Sequence, residues 1–464
     1  MMQPRTISPT VAKKQGAGGA HVSGRRATRS LLALGLALVA GLGLSIRSPG
    51  AAAATLTFQV TTTTDTPDAS PGDGICADAS GQCTLRAAVQ EADAQPSGST
   101  ITIVVPAGTF PLKLGVLSLT ANTITVQGAA GGATTVDGRN ASQVFNVSPA
   151  ASVTLGQLTI IHGNAPLGGG IENAGTLMLT NSTVASSAAG NGGGIYNQQG
   201  GTLALANTTV SQNVAGRDGG GIANNGGTLQ LNLSTLSANK AGQAGGGLVN
   251  FFGTVSISQS TIAGNAASGP NSEGGGGIAN GDGTLTVDKS TISGNSTNSG
   301  TGGSAIFNIL TTSVSNSTIS GNTSPQASGS VLNSDTLTLS YVTIASNSSG
   351  IVNTSSVTAT GTIIAGSTQG PNCFGNRFQE PFGFNLDSGT SCRLSQATDL
   401  TSTDPLLAKL ASNGGPTQTQ ALKPGSPAID HGGTSANGCP PTDQRGITRP
   451  QGPACDIGAF ELVP

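Results

Sequence analysis

Tryptophan is absent from the 464 residues, tyrosine occurs twice, histidine three times, and only 9% of the chain is charged. An ordinary globular domain carries about 25% charged residues, so exposed helices laced with ion pairs are excluded and a weakly charged surface is expected. The formal net charge is -2. No basic stripe lies outside the N-terminal leader, which excludes a nucleic-acid partner. With three His and no Cys-x-x-Cys spacing, a zinc site lacks ligands. Aromatic residues reach only 3%, and the core must rest on aliphatic side chains. What is plentiful is glycine, with 71 residues, twice the usual share of about 7%.

The glycines sit in a repeat. Eight times an aliphatic residue is followed two places later by asparagine: Ile171/Asn173, Ile195/Asn197, Ile222/Asn224, Leu248/Asn250, Ile278/Asn280, Ile306/Asn308, Val331/Asn333 and Ile351/Asn353. Successive pairs lie 20 to 30 residues apart, the variation of coils with unequal loops around one cross-section. Each repeat adds a glycine run, a strand such as Thr228-Leu229-Gln230-Leu231, a turn, and a second strand such as Thr235-Leu236-Ser237. Strict alternation puts Leu177 with Leu179, and Leu337 with Leu339, on one inward face. Val184, Val210, Leu236, Ile262, Ile292, Ile319, Ile344 and Ile363 make a second inward column. Stacked at about 4.8 Å, such coils bury continuous ribs.

Asparagine both donates and accepts, so the eight corner residues are expected to bond up and down the stack, and to tolerate a left-handed bend. Asn213, Asn239, Asn265, Asn295, Asn322 and Asn347 form a second such column, with Ser187 in the first coil. A leucine-rich repeat needs helix formers where this chain has Gly, Ser and Asn. A calcium-binding nonapeptide helix needs Asp in each turn, and a left-handed hexapeptide helix needs a six-residue period; neither occurs. The expected fold class is all-β, a right-handed parallel β-helix with a short N-terminal capping helix and a loop-rich, disulfide-bonded C-terminal cap. Its expected parts are a signal peptide over 1–54, an N-terminal cap and first coils over 55–150, the repeat array over 151–370, and the C-terminal cap over 371–464.

The leader reading rests on Lys13, Lys14, Arg25, Arg26 and Arg29, the apolar run Leu31 to Ile46, and small residues at Ala51 to Ala54. The run is shorter than the roughly 20 residues of a membrane span, so no stable span is expected after its removal. The six cysteines form three close couples: Cys76 with Cys83, Cys373 with Cys392, and Cys439 with Cys455. In an exported chain an even count reads as disulfide-bonded, although six cysteines allow fifteen pairings. All flank the array and are expected to staple the two end caps. At the first cap, Thr84 to Ala94 has helical spacing with Leu85, Ala88, Val89 and Ala92 on one side and Arg86 on the exposed surface.

Cys83-Thr84-Leu85-Arg86-Ala87-Ala88 resembles the CSLREA motif at the start of bacterial secreted β-helix proteins. Ile101 to Phe110, Val136-Asp137-Gly138 and Val144 to Val147 are similar to the opening coils of pectate-lyase-like (pectin lyase fold) β-helices, and the array to polymorphic outer membrane protein repeats. Asn413 to Thr417, Gly425 to Asp430, Asp443 to Gly446, Arg449-Pro450 and Cys455 to Glu461 look like the choice-of-anchor Q domain. The resemblance implies a secreted or cell-surface protein. No LPXTG-like motif or apolar tail follows Glu461, so release and attachment both stand open.

Chemistry has few candidates. A β-helix lyase or hydrolase needs a cation with a base, or paired carboxylates on adjacent coils. Within the array, Glu172, Asp218, Glu273, Asp282, Asp288 and Asp335 share no column on consecutive coils. Asp430, His431, Asp443, Arg445, Arg449, Asp456 and Glu461 are the better cluster, and Asp430, His431, Arg445, Arg449 and Glu461 the residues on which catalysis would rest; cap ion pairs and turns explain them as well. Asp65, Asp68, Asp73 and Asp78 offer oxygens to calcium without the spacing of a known loop, so solvated turns are expected and no cofactor is required. Thr183, Thr209, Thr235, Thr261, Thr291, Thr318, Thr343 and Thr362 form an outward column, beside Ala and Ser, that would suit ice. The Asn-x-Ser/Thr sequons follow from the repeat. The expectation is a non-enzymatic surface or extracellular scaffold binding glycans or envelope components, with a polysaccharide lyase or glycoside hydrolase as the alternative and ice binding as a third reading.

Overall fold

The computed structural model describes residues 53–464 apart from 270–273, 299, 301 and 326–327. The expected signal peptide lies, but for its last two residues, outside the described residues, as does Glu273. The rest is a parallel β-helix. Among the described residues, sheet A has 13 strands, from Thr55–Gln59 to Gln379–Gly383. Sheet B also has 13, from Gly108–Pro111 to Leu400–Thr401, and sheet C has 11, from Leu117–Leu119 to Cys373–Gly375. A six-stranded sheet D, Asn164–Leu167 to Ser296–Thr297, lines the turn from B to C over the early coils. One coil runs Ile171–Asn173 in C, Thr176–Thr180 in A, Thr183–Ala185 in B and Ala188–Asn191 in D. The strand pairs of these sheets are parallel and in register with the next coil, for example Leu177 with Leu203 and Leu229, except that the last pair of sheet A shifts register between Thr358 and Thr360.

The inward residues are those that alternation selects. Ile195, Leu203, Val210, Ile222, Leu229 and Leu236 are all fully buried. Sheet C corners carry the expected asparagine ladder. From Asn173 through Asn197, Asn224, Asn250, Asn280, Asn308 and Asn333 to Asn353, each Nδ2 donates to the next Oδ1 at 2.7 to 3.0 Å. The second column does the same from Asn213 to Asn347 at 3.0 Å, and Ser187 accepts its place by donating its N–H to Asn213 Oδ1.

The left-handed rationale for the first ladder does not hold. Those asparagines lie in strands, and positive φ falls in two other columns. One is the turn from A to B, where Asn181, Asn207, Leu233, Gln259, Lys289, Asn316 and Tyr341 have φ of 42° to 54°. The other follows sheet B, at Ser186, Gln212, Ala238 and Ser346. The glycine runs behave as expected. Gly192 has φ 62°, and a Cβ on Gly193 would meet the carbonyl oxygen of Gly220 at 2.4 Å.

A third ladder went unread in the sequence. In the turn from A to B, the residue after the left-handed one carries, from Ser182 to Ser317, a buried hydroxyl that accepts an N–H of the preceding coil: Thr208 N–H donates to Ser234, Ser234 N–H to Ser260, Ser260 N–H to Ser290, and Ser290 N–H to Ser317, at 3.0 to 3.2 Å. A sequon such as Asn181-Ser182-Thr183 is therefore a left-handed residue, a ladder hydroxyl and a strand start in succession.

At the first end the helix is Leu85–Ala94, and Thr84 accepts from the Ala87 N–H at 3.0 Å. Leu85, Ala88, Val89 and Ala92 are buried as expected. Arg86 is not on the surface. Its guanidinium bonds Asp65 at 2.6 and 3.2 Å and the carbonyls of Gly115 and Val116, so it locks the helix to the first coils. Asp73 is the exposed turn residue expected, but Asp65, Asp68 and Asp78 are buried. Asp65 accepts the N–H groups of Lys113 and Leu114, Asp68 those of Ser70 and Ala77, and Asp78 those of Ser80 and Gln82 with the Thr66 hydroxyl. Fully buried Glu91 binds Gly72 and Gly74 likewise.

The cysteines pair as the close couples. Cys76–Cys83 lies in the first cap, and Cys373–Cys392 ties the last strand of sheet C to the segment closing the far end. Cys439–Cys455 is different, because its segment is not an end cap. Residues beyond about 404 turn back along the outside of sheet B. There Leu422, Ala428, Ile457 and Phe460 bury Ala345, Ile363 and Ala365 in a second core. Ile363 is thus misplaced by the sequence reading: its register partner is Thr343, and Ile364 continues the inward rib from Ile344.

Candidate functional site

The returning segment brings the C-terminal charged residues together, against Tyr341. Asp443 receives Arg445 Nη2 at 2.7 Å and the N–H groups of Arg445, Ile447 and Glu461. Arg445 also donates to the carbonyls of Asn413 and Glu461, and stands 3.6 Å from the centre of the Phe460 ring. Arg449 lies 3.6 Å from Glu461, donates to the Asp456 and Gly458 carbonyls, and faces the Tyr341 ring. Glu461 accepts from the N–H groups of Gln451 and Asp456, and Asp456 from those of Asp430 and Leu462.

Burial tunes these groups. It pushes the Asp456 carboxyl up to about 6, despite its two backbone donors. Burial also raises the Tyr341 phenol to about 12, with Arg449 pulling the other way, and it lowers Arg449 against the pull of Glu461. Tyr341 donates its hydroxyl to the Gly432 carbonyl. Of the five residues on which catalysis would rest, Arg445, Arg449 and Glu461 converge, while Asp430 joins through its backbone. His431 does not: its exposed ring bonds the carbonyl of Ile429. Every charged group that converges is engaged with backbone or with an opposite charge inside the segment, in the manner of a structural ion-pair network.

Buried Gln444, unremarked in the sequence, joins that network to the β-helix. Its Oε1 accepts from Thr318 at 2.6 Å, and its Nε2 donates to Thr291, Thr417 and the Gln418 carbonyl at 2.9 to 3.0 Å. Thr343 accepts from the Ala459 N–H, and Thr417 donates to the Lys289 carbonyl. These contacts overturn the continuous threonine lattice. Thr291, Thr318 and Thr343 are buried under the segment, Thr362 is out of register, and only Thr183, Thr209, Thr235 and Thr261 remain partly open.

Among the described residues no group of three or more His, Cys, Asp or Glu is arranged to hold a metal ion, and no helix is long and apolar enough to cross a membrane. A concavity of about 440 Å³ lies between the first helix and Leu117. It is lined by Arg86, already committed to Asp65, and by Asp93, whose carboxyl is raised by burial and accepts the N–H groups of Thr120 and Ala121.

The outer face of sheet C is of another kind. Its outward row reads Tyr196, Ala223, Val249, Ala279, Phe307, Leu332, Val352 and Phe374 on successive coils. Phe251 stands beside it, in register with Asn225. Ala223, Val249, Ala279 and Phe307 cluster with Tyr196, Phe251 and Leu332 outside the main core. At one end a groove of about 190 Å³ is walled by Tyr196, Phe251, Asn225, Asn191, Arg217 and Asp218. No sequence reading found it, although an aromatic in the middle of an Ile-x-Asn corner, as at Tyr196 and Phe307, was a usable signal.

No family model matches the sequence, and no curated protein matches it. Among solved structures the chain is similar to pectate lyase Pel9A, at 15% identity and a TM-score of 0.48 over 88% of this chain and 96% of that one, a likeness too distant to bear on activity.

Proposed function

We propose that this chain is an exported β-helix of the CSLREA and choice-of-anchor Q type, acting outside the cell or on its surface as a non-enzymatic scaffold for glycans or envelope components. The observation that carries the reading is the engagement of the charged cluster. Asp443, Arg445, Arg449, Asp456 and Glu461, which a lyase or hydrolase at the C-terminal segment would need free, hold that segment together. A catalytic acid or base must reach substrate within hydrogen-bond distance, and these side chains face one another. The long outer walls suit an extended polymer better than a small buried ligand. Three disulfides accord with an oxidising compartment.

The test is to incubate the mature protein, with and without calcium, with acidic and neutral polysaccharides, recording unsaturated products and reducing ends alongside retention on the immobilised polymers. Retention without cleavage is expected. Cleavage that disappears in Asp430→Ala or Arg445→Ala would overturn the scaffold reading and place catalysis in the C-terminal segment.

A further inference from the structure

We propose that the groove on the outer face of sheet C between Tyr196 and Phe251 is the polymer-binding site, and that it takes an uncharged, extended polysaccharide lying along the helix axis. The inference rests on the scaffold reading above and names its site and ligand class.

Three observations converge on it. First, in a chain with 11 Phe and 2 Tyr, the half-buried rings of Tyr196 and Phe251 stand two coils apart on one outer face. Two coils span ~10 Å, comparable with two sugar units of an extended chain. An aromatic ring offers a flat apolar surface to the C–H face of a pyranose, and a tyrosine hydroxyl adds a polar contact at its edge. Tyr196 Oη is already held in place by Asn225 Nδ2 at 2.8 Å, which pre-orients the ring.

Second, the groove has hydroxyl-binding groups to spare. The Arg217 guanidinium is exposed and has no partner among the described residues. Asp218 uses one carboxylate oxygen for the Ala244 N–H at 3.0 Å, and its N–H is set by Asn191 Oδ1. Arg217 and the second Asp218 oxygen line the same groove, a donor and an acceptor suited to vicinal hydroxyls, and with Glu172 one coil before Tyr196 in the outward row two carboxylates stand against one guanidinium, a balance that does not favour a uronate.

Third, the floor is closed and the rims are open. Ala223, Val249 and Ala279 are at most 3% exposed, whereas Tyr196 and Phe251 are half-buried and Arg217 is exposed, so a ligand rests on these few rim side chains, an area that suits a single polymer strand better than a broad protein surface.

The experiment is affinity electrophoresis and retention of the full mature protein on xylan, glucomannan, polygalacturonate and alginate. The variants are Tyr196→Ala/Phe251→Ala and Arg217→Ala, with Thr209→Ala on sheet B as a control and thermal unfolding to confirm that each folds. Binding to xylan or glucomannan is expected, weakened by about tenfold or more in the double variant and less in Arg217→Ala, and unchanged in Thr209→Ala. Wild-type retention that survives the double variant, or retention only on the acidic polymers, overturns the site while leaving the scaffold reading standing. Retention of the wild type on none of the polymers overturns both.

Discussion

Sheets B and C are built from the same coils at the same spacing, yet their outer faces have opposite fates. On sheet B the outward row is threonine, and over the later coils it is closed by the returning C-terminal segment through Gln444, Ala459 and the apolar patch around Ile363. On sheet C the outward row is Tyr196, Ala223, Val249, Ala279 and Phe307, and among the described residues no C-terminal element contacts it in this way. The inward positions hardly differ between the two sheets. Individuality in a solenoid therefore resides in the outward residues, because repetition already satisfies the inward ones.

Ways to break the shared frame have the largest expected effects. Asn250→Leu, at the centre of the first ladder, would leave the Asn280 side-chain oxygen without its donor and take one of two partners from the Asn224 amide, which keeps Gly227, and from the Gly253 carbonyl, which keeps Thr284. A buried unsatisfied group costs about 1–3 kcal/mol and a lost hydrogen bond about 1 kcal/mol, so a loss of about 3 kcal/mol is expected in denaturant unfolding, felt on both faces. A loss below about 1 kcal/mol would mean the ladder is decorative.

Gln444→Ala separates the faces. It removes the bonds to Thr291 and Thr318 and should cost about 2 kcal/mol, confined to the C-terminal segment. Hydrogen exchange should rise over 404–464 while the array and the sheet C groove are unaffected; uniform destabilisation would show that the segment is integral to the coils.

A smaller, pH-dependent effect belongs to Asp456 alone. Its folded carboxyl is raised from the ordinary 3.8 to about 6, so between these values the folded state binds more protons than the unfolded one. The sign follows: the site disfavours folding above about pH 6, and that penalty fades as pH falls toward 4. The stability of the wild type relative to Asp456→Asn should therefore grow on going from pH 7 to pH 4.5, by about 1–2 kcal/mol after allowance for partial solvent screening. A flat difference would show that the two backbone donors outweigh burial.

The smallest effect tests the turn from A to B. Leu233 is 46% exposed at φ 50°, a conformation that costs an ordinary side chain about 1 kcal/mol. Leu233→Asn, matching Asn181 and Asn207 in the same column, should raise stability by up to about 1 kcal/mol without altering either face. For the open half of sheet B, no thermal hysteresis is expected, since only four threonines remain partly open.

The parallel β-helix, its inward ribs and the amide ladders were legible because each rests on a residue type repeated at fixed offsets, and a repeat states its geometry many times over. The close cysteine couples were legible for a related reason, since local pairing needs no knowledge of distant contacts. Less visible was the serine ladder: Ser234 and Ser260 sit inside Asn-x-Ser/Thr-like runs whose threonine draws the eye, and hydroxyls favour turns for many reasons. Arg86, Asp65, Asp68 and Asp78 read as surface residues, because charge on a short helix or in a loop usually is. Their burial depends on the backbone amides of Lys113, Leu114 and Ala77 arriving from elsewhere in the chain.

The sequence by itself determined the solenoid, its coil-to-coil register through nearly the whole array, and the helix that opens it, since these follow from local periodicity and from side chains that bond their own copies one coil away. Only the tertiary structure decided that the C-terminal segment lies along sheet B rather than across its end, that Ile363 faces this segment and Ile364 the core, and that the charged residues from Asp443 to Glu461 face one another. The physical reason is separation: Thr318 meets Gln444 across 126 residues with no repeat to announce the contact, so the pairing exists only once both partners have been brought to the same place.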